Sequence, residues 1–235
     1  MVARDEARIK VCKNGPYLVT GKVPLIEETT LRDEDGMPTE WSKTRNFPEQ
    51  ETYTLCRCGS SKKAPYCDMT HLDIGFEGKE KAPRDNYIER SQLLSGPGLD
   101  MRDRTEICAR AQFCQRSGGV WKLVQGSSDP SKKDKAIEII GQCSAGRLVA
   151  YEKQGPVIEP QLERIISVTQ DPGRRISGPL WVKGGIPVES ADGFTYERRN
   201  RVTLCRCGRS KIHPFCDGTH LGDGFDDGTL QTKHP

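Results

Sequence analysis

The chain has 235 residues, 34% of them hydrophobic, and a mean hydropathy of −0.67, which leaves room for one large or two to three small domains with small cores. Its 36 basic and 33 acidic residues are well mixed, and no Lys/Arg run is interleaved with aromatics, which argues against nucleic acid as a partner. The opening "MVARDEARIK" has no apolar h-region, and no window approaches the roughly 18 apolar residues of a membrane span, so a reducing cytoplasm and no membrane are expected.

In chain order, Ile9 and Val11 alternate ahead of "KNGP", a turn signal of the Asn-Gly type. Strands are predicted at 17–19 and 23–26, and the polar "RDEDGMPTEWSKTRN" that follows reads as a surface loop insertion. "PYCDMTH" predicts a short helix entered through Pro65. "SGPGLDMRDR" is a Gly/Pro-rich approach to a middle segment, in which 132–141 predicts an amphipathic helix carrying Ala136, Ile139 and Ile140, with Gly141 able to cap its end. "RLVAYE" predicts a strand. Further strands at 180–182 and 202–204 precede "PFCDGTH", a second short helix entered through Pro214.

Ten cysteines admit disulfides or metal. Residues 54–71, "TLCRCGSSKKAPYCDMTH", return 149 positions later as "TLCRCGRSKIHPFCDGTH", with thirteen of eighteen positions identical. The shared spacing, Cys-x-Cys-x8-Cys-x3-His, is ligand arithmetic, because a disulfide framework gives no reason for the paired histidine. The repeat extends upstream, "GPYLVTGKVP" matching "GPLWVKGGIP". Cys56 and Cys58, two apart in a turn eased by Gly59, can reach one metal. Cys67 and His71, one helical turn apart, can reach a second ion beside it, and a helix start under Cys67 favours thiolate. Cys205, Cys207, Cys216 and His220, with Gly208, repeat the arrangement. Spacing alone leaves two fillings open for each set: one tetrahedral zinc or a 2Fe–2S cluster.

The order Cys-x-Cys-x2-Ser-x3-Pro-x-Cys-Asp-x-Thr-His resembles the CDGSH iron–sulfur domain family. The second copy matches that motif throughout; the first departs at Met69, where the family has Gly. The resemblance implies a 2Fe–2S cluster in each copy, two per chain, with Cys56 and Cys58 on one iron and Cys67 and His71 on the other. Cys205 and Cys207, with Cys216 and His220, do the same in the second copy. It also implies a β-rich α+β fold in which two units lie side by side, each lending a strand to a shared β-cap. Tandem copies then form an intramolecular pseudo-dimer, a monomer with internal pseudo-twofold symmetry: a first unit at 1–83, an inserted unit at 84–160 and a second at 161–235. Three thiolates instead of four leave an oxidised cluster site at −1 instead of −2 and ease the uptake of an electron. Two His in place of two Cys raise potentials to roughly −150 to +300 mV from about −400 mV, and one should fall between. Arg57 and Arg206, between the paired cysteines, push the same way if close, but are expected in solvent.

"ICARAQFC" and "GQCSAGRL" resemble a divergent single-cluster ferredoxin domain over about sixty residues. Ser144 stands where Pro is usual, and the His usual between the paired cysteines is missing. Only three candidate ligands remain there, with Cys12 a distant fourth, and Cys108, Cys114 and Cys143 are therefore expected to be buried structural cysteines, so that the chain holds two clusters and no third. His213 and His234 are expected at the surface, and Trp121 and Trp181 in core packing. No Ser-His-Asp set, P-loop or paired-carboxylate signature stands out. The expectation is a non-enzymatic protein of electron or cluster transfer, meeting a redox or cluster-acceptor protein. The alternatives are a zinc-stabilised interaction module on the same eight ligands and an accessory redox enzyme in which the middle segment contributes a site.

Overall fold

The computed structural model describes residues 7–230; His234 lies outside the described residues. The N-terminal segment runs β1 (Arg8–Val11), β2 (Tyr17–Thr20), β3 (Leu25–Arg32), β4 (Pro38–Asn46), β5 (Thr52–Leu55) and a one-turn helix α1 (Thr70–Asp73). The middle holds α2 (Tyr87–Arg90), β6 (Gln92–Ser95), β7 (Leu99–Asp103), α3 (Val120–Gln125), α4 (Pro130–Gly141), β8 (Leu148–Glu152) and β9 (Val157–Ile158). The C-terminal segment runs β10 (Ile166–Asp171), β11 (Ile176–Lys183), β12 (Val188–Glu189), β13 (Arg201–Leu204) and α5 (Thr219–Gly222). The fold is strand-rich α+β.

Three sheets result, ordered β12-β1-β2-β5, β13-β11-β10-β3-β4 and β6-β7-β8-β9. The first two exchange strands. β12 joins the N-terminal sheet by pairing parallel to β1, Ile9 opposite Val188. β3 joins the C-terminal sheet by pairing parallel to β10, Ile166 opposite Leu25. Alternation along the strands sends Ile9, Val11, Tyr17 and Val19 inward to meet Ile166, Val168, Leu180 and Val182, so one core serves both ends of the chain. A separate core of Leu99, Met101, Val120, Val124, Ala136, Ile139, Ile140 and Leu148 holds the middle.

The expected insertion loop is a strand. "MPTEWSKTRN" folds back as β4 on β3 through a turn at Asp33–Gly36, where Gly36 takes a positive φ of 73°. Its polar composition suits an exposed sheet edge, where Lys, Arg and Glu discourage further pairing. The strand also grips the middle segment: Trp41 stacks on Phe113 at 5.1 Å, lies 5.4 Å from Trp181, and donates its Nε1–H to Gln142 O at 3.3 Å. The Gly/Pro-rich approach is likewise the turn of the β6–β7 hairpin. The amphipathic helix starts earlier than expected, at Pro130, because Asp129 caps it by accepting the Ser131 N–H at 2.9 Å. Gly141 is its last residue and Gln142 its cap.

Arg201 locks the middle onto β13. Its side chain is fully buried and donates to the carbonyls of Ile140, Gly141 and Cys143, at 2.7, 3.0 and 3.0 Å, and to Glu159. A guanidinium serves several carbonyls at the end of α4 at once, Ile140 O and Cys143 O also accepting the Cys143 and Gly146 N–H groups at 3.1 and 2.9 Å.

Candidate metal centres

The eight ligand candidates fall into two matching sets, each made of two pairs. In the first, Cys56 Sγ and Cys58 Sγ are 3.7 Å apart, and Cys67 Sγ lies 3.4 Å from His71 Nδ1. In the second, Cys205 and Cys207 are 3.6 Å apart, and Cys216 lies 3.4 Å from His220 Nδ1. Metal–sulfur bonds of about 2.3 Å and metal–nitrogen bonds of about 2.0–2.1 Å in a tetrahedron place two sulfurs roughly 3.8 Å apart, and sulfur and nitrogen roughly 3.5 Å apart. Each pair therefore spans one tetrahedral edge. Among the described residues, no three Cys, His, Asp or Glu side chains converge on a single ion.

The second pair of each set meets by a route other than the expected helix. Tyr66 makes a bridge with Leu55, so Pro65 and Cys67 belong to extended chain, and α1 begins only at Thr70. Met69 supplies the bend, with φ 74°; Gly218 does so in the second copy, with φ 85°. The orphan N–H of Thr70 is taken by Asp68 Oδ1 at 3.1 Å, while Cys67 Sγ accepts the Met69 N–H at 3.4 Å. Local amides, not a helix dipole, thus face the sulfur. Burial pushes both the Cys67 and the Cys216 thiol up. In each Cys-x-Cys pair the shared hydrogen bond pulls the first thiol down and holds the second up. A cation bound there would displace that proton.

The two Cys-x-Cys turns face each other. A Cβ on Gly59 would lie 2.5 Å from Cys207 O, and one on Gly208 would lie 2.4 Å from Cys58 O. Both glycines have positive φ, 79° and 78°, so each position requires glycine twice over, for the turn and for the close approach. Tyr17, buried under both, donates its hydroxyl to Cys205 O at 2.7 Å and to Pro214 O at 3.0 Å.

Arg57 and Arg206 are not in solvent. Both are buried, 1% and 3% exposed, and thread behind the turns to backbone carbonyls. His213 is also buried rather than superficial, its Nε2 3.2 Å from Gly208 O, and burial lowers its pKa. Trp181 is core as expected, and Trp121, half-buried, packs against the middle core as expected and donates its Nε1–H to Asp103 Oδ2 at 3.3 Å.

Cys108, Cys114 and Cys143 line one cavity of the middle segment, all three partly exposed rather than buried. Burial nearby pushes the Cys114 thiol up to about 11, and Cys108 Sγ accepts from Arg147 at 3.3 Å. Cys12 is not with them; its carbonyl accepts from Arg57 at 2.9 Å, beside the first set. The cavity abuts the second set, where Ala109 and Ala145 cluster with Cys216 and Arg110 lies across Gly218.

Sequence reasoning named Gly59, Gly208, Arg57 and Arg206 but missed that the glycines face each other and that the arginines are buried, and it missed the role of Tyr17 altogether. A signal existed for two of these: Arg and Gly recur at the same places in both copies.

Thiols and imidazoles paired at metal-edge spacing point to metal binding. Residues 14–72 and 177–221 match the family of iron-binding zinc fingers of the CDGSH type, and residues 94–153 match that of divergent 4Fe-4S mono-clusters. The chain thus carries two CDGSH-type copies flanking a mono-cluster segment, and is an iron–sulfur protein. Neither the curated proteins nor the solved structures give a match to it. Among the described residues, no helix is long and apolar enough to cross a membrane.

Proposed function

We propose that the chain is a non-enzymatic carrier of electrons or of clusters, holding two 2Fe–2S clusters. The first would be held by Cys56, Cys58, Cys67 and His71, and the second by Cys205, Cys207, Cys216 and His220. The observation that carries this reading is the division of each set into two tetrahedral edges. One pair per metal suits a binuclear core better than a single zinc. The bound group supplies reversible one-electron chemistry. The chain supplies the rest: three thiolates and one neutral imidazole limit the negative charge, amides of Met69 and Gly218 donate to sulfur, and Tyr17 fixes the turn behind Cys205.

The reading includes an intramolecular pseudo-dimer, a monomer with units near 1–83 and 161–235 and a ferredoxin-like unit near 84–160. The reciprocal strand exchange and the reciprocal contacts of Gly59 and Gly208 support it. The turns abut, so the residues that would hold the two groups are neighbours within the chain. A cytoplasmic setting and a redox or cluster-acceptor partner belong to the same proposal.

A second reading is favoured by the mono-cluster match and by the shared cavity of Cys108, Cys114 and Cys143: a third cluster in the middle, needing a fourth ligand that is neither Cys12 nor a histidine between the paired cysteines. Anaerobic preparation followed by visible and EPR spectroscopy tests both readings. The first expects a red-brown protein with 2Fe–2S signals that survive Cys114→Ala. A 4Fe–4S signal lost in that variant would establish the second, and a colourless zinc protein would refute both.

A further inference from the structure

Behind each Cys-x-Cys turn lies a buried arginine, and the two are not neutralised alike. Arg57 donates to three carbonyls only: Nε to Gly15 at 2.7 Å, Nη1 to Gly78 at 3.0 Å and Nη2 to Cys12 at 2.9 Å. Among the described residues it makes no ion pair. Arg206 donates to Gly178 O at 2.6 Å, to Thr169 O at 3.1 Å and to Gln170 Oε1 at 3.3 Å, and its Nη1 pairs with the Asp227 carboxylate. Gly78 and Asp227 are equivalent, each seven residues past the ligand histidine of its copy. The remaining cradle is shared, for Phe76 and Phe225 lie under the two guanidinium groups at 5.3 and 5.4 Å.

Asp227 is built to stay ionised. Ser177 Oγ donates to it at 3.0 Å and Thr229 donates through N–H and Oγ1 at 3.0 and 2.7 Å, with the side chain only 4% exposed. One residue exchange therefore changes the buried charge behind the turn from a bare cation to a neutral pair.

Resting on the reading that both sets hold 2Fe–2S clusters, we propose that the Gly78/Asp227 difference ranks the two sites. The first, over an uncompensated Arg57, holds an added electron more tightly than the second, over the Arg206–Asp227 pair. Adding an electron makes a site more negative, and a bare cation in a low-dielectric surrounding favours that state, whereas a close ion pair nearly cancels itself. Exposure acts in the same direction. Cys205, Cys207 and Cys216 are all buried, while Cys58 and Cys67 are partly open to water, which solvates the extra charge. A single electron carried by the chain therefore rests on the first site. Passage from second to first would conserve the electron, one site being oxidised as the other is reduced. The middle segment packs against the second site, through Ala109 and Ala145 beside Cys216, and so closes that site rather than the first to water. Arg57 and Asp227 act here as positioning groups through charge alone.

The test is an EPR-monitored redox titration of the full holo-chain with dithionite. Two waves are expected in the wild type, the upper displaced by His71→Cys and the lower by His220→Cys, which assigns them. Asp227→Asn keeps the shape and removes the charge. It should raise the lower wave by a tenfold or larger change in electron partition, about 59 mV for one electron, and leave the upper wave fixed; Asp227→Glu should restore the wild-type position. The ranking is overturned if His220→Cys displaces the upper wave, or if Asp227→Asn binds both clusters and leaves the lower wave in place. If Asp227→Asn sheds its cluster, the wave order in the wild type and the two histidine variants still decides. A chain with no 2Fe–2S signal refutes the cluster reading, and the ranking falls with it.

Discussion

The first and second sites share their ligands, their turns and a buried arginine, yet they meet different surroundings. Around the second, Gly218 admits Arg110 so closely that an added Cβ would lie 2.3 Å from its Cγ and 2.8 Å from Cys108 O. Around the first, the equivalent Met69 stands 54% exposed, with Leu72 and Ile74 exposed beside it. A duplicated motif has kept the spacing of its Cys and His pairs while one copy has been enclosed by the middle segment and the other left open. Ligand spacing governs what a site binds; the packing against it governs how it behaves.

The largest effect should come from a change that strikes both copies at once. Gly59→Ala or Gly208→Ala forces a side chain into a positive φ, at about 1–2 kcal/mol, and into a facing carbonyl, where overpacking adds about 1–3 kcal/mol. Either substitution should lower the denaturation midpoint and weaken iron retention at both sites. Loss confined to the substituted copy would break the idea that the turns support each other.

Next comes the position that separates the sites. Gly218→Met should cost about 1–3 kcal/mol by driving Arg110 and Cys108 away. It should also open the second site to solvent, read as faster loss of its visible absorbance to an external chelator. Met69→Gly should have the opposite sign and a smaller size, stabilising by up to about 1 kcal/mol as the positive φ of 74° is relieved. A Gly218→Met chain as stable and as closed as the wild type would show that the middle segment does not shield that site.

Acidity should distinguish the copies more finely. Burial lowers the His220 pKa to about 4, with Arg206 adding to the effect. Its ordinary value is about 6.5, so in the metal-free chain the unfolded state takes up a proton first. Stability contributed by neutral His220 is present above about 6.5 and falls progressively as the pH drops towards about 4. Protons compete with iron for imidazole, so both sites should lose absorbance on acidification, the more open first site sooner. Replacing His71 and His220 together with cysteine should hold the clusters to lower pH and lower both reduction potentials. Equal acid decay in wild type and double variant would show that histidine protonation does not control release.

Much of this was legible in the sequence. The pairing of Cys56 with Cys58, Cys67 with His71 and their counterparts, the strands around Tyr17, Leu180 and Val202, and the helix carrying Ile139 and Ile140 follow from local pattern and spacing. What failed was decided by partners distant in sequence. β4 looked like a loop because an edge strand needs few apolar residues, and its partner β3 supplies the order. Cys67 looked helical because a Pro two residues ahead suits a helix start, whereas a bridge from Tyr66 to Leu55 keeps that stretch extended. Arg57, Arg206 and His213 looked solvated because the carbonyls that receive them lie in other segments. Polar residues buried through long-range backbone contacts leave little trace in composition.

The most direct measurement is the iron and inorganic-sulfide content of the anaerobically prepared chain, read with its visible spectrum. The account predicts a red-brown protein with about four irons and four sulfides per chain, as two 2Fe–2S clusters require, falling by half when either His71 or its partner Cys67 is removed together with Cys56 and Cys58. A colourless chain with zinc in place of iron and no inorganic sulfide would contradict it.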